Sequence, residues 1–436
     1  MRAAIPLLLV ACACADAASP VRRLPRLRAD GARIVDEAGR EVRLRGVNLG
    51  GWMFHETWIT LAGQTGHGAL LEAARAPGLE DPVLAAMREA GPDCGDDPAI
   101  TKVCPGSGDA WEARLRPLLG KAVGEARATA LLDGLAARPA MCDDSDLALR
   151  RVLSARFGDD GRDALLDAFQ RAWMTEADVA WIAAPGMNVV RVPIGYRSLM
   201  RGPDSERPAA LDWNPLALER LSDLLRDRPE VAAYSLLAEP YGAPDAAARD
   251  RMYDRLVKAI RARGDDHVLV IHDGFRGMKT LPVPADVGWD GVAYSTHLFE
   301  WTAADLAAYR ILFDALYGPA FEEAQPLHGV PYYIGSFSTF LDAEWAYEAA
   351  AFLVGWMEAR GLSWSLRTYK RLDDPLSARV FGWSTSWGLR GRLSGAFRRP
   401  DPHADGFDAL RAAFEAYRDL DVRPNEALLA VVKVSP

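Results

Sequence analysis

The sequence predicts an α/β fold of the (β/α)8 TIM-barrel type, lacking its third βα unit and carrying a large insertion after the first strand. Three observations point to it. From about position 187 onward, short apolar runs recur in which hydrophobic residues are continuous rather than alternating. That is the pattern of parallel strands covered on both faces. Stretches of helical spacing separate these runs, and repeated βα units in a chain of 436 residues fit one barrel. One interval between strands is too short for the connections it would have to hold.

In chain order, residues 31–40 read as a hairpin-like lead-in to a first strand at 42–48. Residues 60–145 form the insertion, with irregular Gly/Pro/Asp segments and a helical stretch at 111–132. Regular pattern returns near Leu147. A helix covers 165–173, and Thr175 with Asp178 has the spacing of a capping box opening the next helix. Trp181 and Ile182 lie on the apolar face of that helix, which ends at Pro185-Gly186. Strands are then expected at 187–193, 231–237, 267–271, 291–297, 331–337 and 362–369, with helices at 216–226, 246–261 and 346–359 among them. Only about 37 residues separate Pro193 from Val231, room for one crossover where a complete barrel needs two. Residues 200–213 contain no apolar run able to serve as a strand. The organisation expected is a leader at 1–17, a barrel at 31–388 that includes the insertion, and a C-terminal helix and tail at 389–436.

The charge of −9 and a pI near 5.4 argue against nucleic acid or anionic membrane as partners. They agree with a neutral ligand such as a polysaccharide, and indole rings, of which the chain has thirteen, stack well on sugar faces. At the N-terminus, Arg2 precedes an apolar run at 3–11, too short to span a bilayer. Two readings of this leader stay open. Leu9-Val10-Ala11-Cys12 looks like a bacterial lipobox that would anchor the chain through a lipid on Cys12, and cleavage could instead follow Ala15-Asp16-Ala17. Either way export is expected, to the cell envelope or the medium. Cys94 and Cys104 bracket a short loop and are a plausible disulfide in an oxidising compartment, with Cys142 left over. No Cys/His spacing suggests a metal site, no cofactor is expected, and the chain is expected to be a monomer.

Several motifs in order carry a family resemblance. Residues 44–52, Leu-Arg-Gly-Val-Asn-Leu-Gly-Gly-Trp, and residues 186–194, Gly-Met-Asn-Val-Val-Arg-Val-Pro-Ile, resemble the first- and second-strand signatures of glycoside hydrolase family 5, the cellulase and endo-β-glucanase family. Tyr294-Ser295-Thr296-His297 is similar to its sixth strand. The resemblance implies a TIM barrel, an oligosaccharide or polysaccharide ligand such as a β-glucan, and substrate contacts from Arg191, His297, Trp52 and Trp387, with Trp58 and Trp383 as further stacking candidates. It also implies two carboxylates flanking the scissile bond, about 5–5.5 Å apart in a retaining enzyme.

The departures fall on the same face. The acid motif reads Ala238-Glu239-Pro240, so Glu239 stands at the acid/base position while the Asn expected to hold the substrate 2-hydroxyl is alanine. The nucleophile motif reads Gly335-Ser336-Phe337. A serine hydroxyl cannot replace the carboxylate of a glycosyl-enzyme mechanism. Arg367 replaces the aromatic platform of the eighth strand, and Phe299 stands where a tyrosine is usual. Gly335-Ser336-Phe337 is no Gly-x-Ser-x-Gly elbow, which argues against a serine hydrolase. Glu300, which follows the sixth strand, is a conceivable substitute nucleophile expected to point into a loop, and His272 reads as structural. The expectation is a catalytically inactive or severely impaired homologue that keeps glycan binding. The alternative is an active β-glucanase using Glu239 and an unrecognised second carboxylate.

Overall fold

The computed structural model describes residues 24–62, 70, 73–74, 77–90, 108–133, 145–195, 216–240, 242–300, 303–339, 344–372, 388–393 and 397–433. Seven strands form one parallel sheet: β3 (Arg45–Asn48), β4 (Val189–Arg191), β5 (Ala233–Ser235), β6 (Val268–His272), β7 (Val292–Phe299), β8 (Tyr332–Ser338) and β9 (Ser363–Leu366), preceded by β1 (Arg28–Asp30) and β2 (Arg33–Val35). Their order is β4-β3-β9-β8-β7-β6-β5, and the sheet curls into an incomplete barrel. Counted as barrel units this is 2-1-8-7-6-5-4. The two free edges, β4 and β5, are the strands that a third unit would join. Among the described residues no strand lies between them, and residues 200–213 fall outside the described part.

The edges bear the mark of that gap. Strands β6, β7 and β8 are buried almost throughout, as continuous apolar sequence with cover on both faces requires. Each edge strand pairs for only three residues; Val190 is 40% exposed and Ser235 also faces solvent. The helices Leu216–Leu225, Ala246–Arg261 and Ala346–Ala359 fall where their apolar spacing places them. Their buried residues join one large cluster with the outward side chains of the strands. Inside the barrel, Val268, Val270, Ala293 and Tyr333 pack together, with Ala29 of the antiparallel β1–β2 hairpin against them. The lead-in hairpin therefore closes the N-terminal end of the sheet.

Three expectations change in detail. The helical stretch at 111–132 is two helices, Gly108–Val123 and Glu125–Asp133, broken at Gly124, whose φ of +89° suits glycine alone. The helix expected at 165–173 is the end of Ser145–Trp173, kinked at Gly158. The segment after 388 is more than a helix and tail. It adds the antiparallel pair β10 (Arg390–Leu393) and β11 (Val422–Pro424), and Leu410, Phe414, Tyr417, Leu428 and Val432 join the main core. Aromatic packing of Phe414 and Tyr417 on Phe169, and the Tyr417 hydroxyl donating to Thr60 O at 2.8 Å, fasten it there. Within the insertion, the helices Glu80–Ala90, Gly108–Val123 and Glu125–Asp133 bury Val83, Met87, Leu115, Leu119 and Leu131 in a cluster of their own. Cys12, Cys94, Cys104 and Cys142 lie outside the described residues. No described helix is long and apolar enough to cross a membrane.

Candidate functional site

Parallel strands of a barrel deliver their C-terminal side chains to one mouth, and there the predicted residues converge. Glu239 follows β5 with φ +52°, a sparsely populated conformation for a residue with a side chain, and one that the following Pro240 also disfavours. Its Oε1 accepts the Nδ1 proton of His297, from the end of β7, at 2.5 Å. The His297 ring meets His272, from the end of β6, edge to face at 4.4 Å between centroids. Phe299 lies edge-on to His297 at 6.0 Å.

Ser336 faces His297 across the β7–β8 ladder. The register slips there, so that His297 pairs with Ser336 and Gly335 is left in the bulge. A Cβ on Gly335 would stand 2.9 Å from His297 Nε2 and 3.1 Å from Ser295 Oγ, so only glycine lets the two strands close on the imidazole. Ser336 is fully buried, and its Oγ has no hydrogen-bond partner among the described residues. His272 Nδ1 accepts from Gly274 N at 2.8 Å, which puts its proton on Nε2, a buried atom also lacking a partner among the described residues.

Asn48, at the end of β3, organises the opposite wall. Its amide donates to Gly335 O, Ser365 O and Leu366 O, while its Oδ1 accepts from Arg191 Nη1 at 2.8 Å. One buried side chain thus ties strands β3, β8 and β9 together and aims the guanidinium. Arg191 pairs with Asn48 here and acts on Glu239 only through its charge. Arg367 forms an ion pair with Glu56, whose Oε2 accepts from Gly51 N at 3.3 Å. Arg191 feels both Glu56 and Glu239, so these four charges share the mouth.

Burial opposes ionisation of Glu239, but the His297 hydrogen bond and the Arg367 and Arg191 charges outweigh it and hold its carboxyl below the ordinary value. Burial pushes His297 down to about 4, against the Glu239 contact, so the imidazole is neutral at neutral pH. His272 is pushed well down, by burial first and then by nearby charges. A general acid at neutral pH needs the opposite shift, usually supplied by an apolar setting or a second carboxylate. Glu239 instead sits as an ionised acceptor.

The remaining candidates divide. Trp52 is half-buried, donates its indole N–H to Gln170 O at 2.9 Å and packs on the main core. Trp383, Trp387 and the side chain of Trp58 lie outside the described residues. Glu300 is buried, accepts from Ala303 N, and its charge acts on Tyr309 and Tyr317 of the helical layer. Asn48 and Glu56 had no role assigned from sequence; Asn48 stood in a quoted motif, and Glu56 carried no signal. Among the described residues no group of three or more His, Cys, Asp or Glu is placed to hold a metal ion.

No protein-family model and no curated protein sequence matches the chain. Solved structures do. The endoglucanase Cel5A of the hyperthermophile Thermotoga maritima is 17% identical with a TM-score of 0.42, over 59% of this chain and 90% of its own. A xyloglucan-specific endo-β-1,4-glucanase of glycoside hydrolase family 5 from a metagenomic library, solved with cellotriose, is 14% identical with a TM-score of 0.40, over 60% and 88%. An endogalactoceramidase is 16% identical with a TM-score of 0.37, over 90% and 85%. The chain's own strand order, rather than these distant likenesses, defines the barrel.

Proposed function

We propose that this chain is a glycoside-hydrolase-family-5-like protein whose barrel mouth binds a neutral β-linked oligosaccharide and whose hydrolytic activity is lost or severely impaired. The observation that carries the reading is the His297–Ser336 pairing beside Glu239. The strand position that should present a second carboxylate offers a buried hydroxyl, and the remaining carboxylate is held ionised by His297, Arg191 and Arg367. Retaining hydrolysis needs one protonated and one ionised carboxyl on opposite sides of the bond. Arg191, His297 and Glu239 still provide hydrogen-bonding groups for sugar hydroxyls.

The test is release of dinitrophenol from 2,4-dinitrophenyl β-cellobioside, a leaving group that needs no acid, with and without azide. Without azide no release above buffer is expected. With azide, slow release is expected: azide attacks from the side of Ser336, where the nucleophilic carboxylate is missing, a C–N bond forms as the anomeric C–O bond breaks and dinitrophenolate leaves, and the product is the α-glycosyl azide. Turnover without azide would overturn the inactive reading. One observation favours that second reading: Glu56 is a buried carboxylate at the same mouth, sharing Arg191 and Arg367 with Glu239. Glu56→Gln would then abolish the azide-independent release.

A further inference from the structure

Three groups at the mouth stand in the order hydroxyl, imidazole, carboxylate. Glu239 Oε1 accepts the Nδ1 proton of His297 at 2.5 Å, which leaves the lone pair of the neutral imidazole on Nε2. That nitrogen faces β8. It lies 2.9 Å from where a Cβ on Gly335 would stand, and His297 pairs with Ser336 in the ladder. The Ser336 hydroxyl is fully buried and bonds to no group among the described residues. Buried hydroxyls are nearly always bonded, so this one needs a cause.

The other side of Ser336 is cationic. Asn48 Nδ2 donates to Gly335 O at 3.1 Å while its Oδ1 accepts from Arg191 Nη1 at 2.8 Å. One amide therefore separates the guanidinium from the backbone beside Ser336. The Arg191 hydrogen bond goes to that neutral amide, and Glu56 and Glu239 act on the guanidinium through charge. His272 Nε2–H, whose ring packs on His297, is a further buried donor without a partner among the described residues.

We propose that Ser336, His297 and Glu239 form a Ser-His-Glu constellation that hydrolyses a carboxylic ester with a small acyl group. This activity is separate from glycosidic cleavage and independent of the oligosaccharide reading. Such a triad is defined by geometry and roles, so the missing Gly-x-Ser-x-Gly elbow does not decide against it. The Oγ–Nε2 hydrogen bond is open in this state, as it often is in free enzymes. Ser336 Oγ attacks the ester carbonyl carbon as its proton passes to His297 Nε2, and the carbonyl electron pair moves onto oxygen, where Arg191 balances the charge. The adduct collapses, the C–O bond to the alcohol breaks, and His297 returns the proton to the leaving oxygen. Water then attacks acyl-Ser336, giving its proton to His297, and the acid leaves as Ser336 Oγ recovers a proton. Glu239 is a positioning residue: it fixes the tautomer and faces the imidazolium. The enclosure of Ser336 limits the acyl group to a small one.

p-Nitrophenyl acetate is the probe, followed in wild type, Ser336→Ala and Glu239→Gln, with intact mass measured after phenylmethanesulfonyl fluoride. Wild type is expected to turn over and to gain one sulfonyl group on Ser336, with loss of fluoride. Ser336→Ala is expected to gain none and to be about a hundredfold slower or more. Its Tm should not fall, since it removes a buried hydroxyl without a partner. The wild-type rate should be level above about pH 5. It should fall as His297, faced by Glu239, His272, Arg191 and Arg367, takes up its proton at about 4. Glu239→Gln should lower kcat and leave KM unchanged, because the tautomer is lost and the acyl site is not. Equal release by wild type and Ser336→Ala, or no sulfonyl group on Ser336, overturns the constellation.

Discussion

Glu239 and His297 are one unit, and their shared contact sets how the site responds to acid. His297 titrates near 4 in the folded chain against an ordinary 6.5, because burial disfavours the imidazolium. Between those values the unfolded chain holds a proton that the folded one lacks, so stability rises with pH from about 4 to 6.5 and is flat above. The contribution of this one group reaches about 3 kcal/mol. Glu239 acts in the same direction at lower pH: its depressed carboxyl stabilises the fold above its ordinary value of 4.5, and that is lost as pH falls through the folded value. Urea denaturation at pH 4 to 8 is expected to show this loss, and His297→Gln to flatten it by about one proton; equal slopes in both proteins would contradict the titration. Glu239, His297 and Ser336 were legible in sequence because short motifs name them. Their pairing was not, since it depends on a bulge that shifts β8 by one residue.

Helix Glu176–Ala183 shows how a local signal becomes a long-range tie. Thr175 and Asp178 make the capping box that their spacing predicts, with Thr175 N donating to Asp178 Oδ2 at 2.8 Å. The other oxygen of Asp178 leaves the helix. It accepts from the Tyr369 hydroxyl at 2.6 Å and from Lys370 and Arg390 at 3.3 Å. Burial raises the Asp178 carboxyl, but Lys370, Tyr369 and Thr175 more than offset it, so it is ionised. Capping alone is worth about 1 kcal/mol, whereas removing one member of a buried charge cluster costs about 3–5 kcal/mol. Asp178→Asn should therefore destabilise by the larger amount in chemical denaturation and Thr175→Ala by the smaller; equal costs would show that the cap is all Asp178 does. No sequence window contains this cluster, because its members lie on a helix, the end of the eighth barrel strand and the C-terminal pair.

At the scale of the molecule the barrel formed by the described residues is open on one side. Its β4 and β5 edges have short ladders and exposed side chains, while β7 and β8 are long, buried and paired on both sides. Native-state hydrogen exchange follows local opening. Amides of Val189–Arg191 and Ala233–Ser235 are expected to exchange at least about tenfold faster than those of Val292–Phe299 and Tyr332–Ser338. Uniform protection would mean that another part of the chain closes the wall. The interval between Pro193 and Val231 revealed the gap from length alone, because a crossover has a minimum length. The incorporation of the chain after 388 into the main core had no such signal: its helices and short strands read like any terminal segment until Phe414 and Tyr417 meet Phe169.

The sequence by itself determined the order of barrel units, an interval too short for a complete third one, the helices at Ala246–Arg261 and Ala346–Ala359, and the identities at positions 239 and 336. These follow from periodicity, chain length and short motifs, all of which act over neighbouring residues. Tertiary structure alone decided that Asn48 aims Arg191, that Glu56 meets Arg367, and that His272, from the end of β6, packs against His297, from the end of β7. Each of these joins residues from strands or loops distant in sequence, so burial, charge and hydrogen bonding could act on them only once the sheet had brought them together.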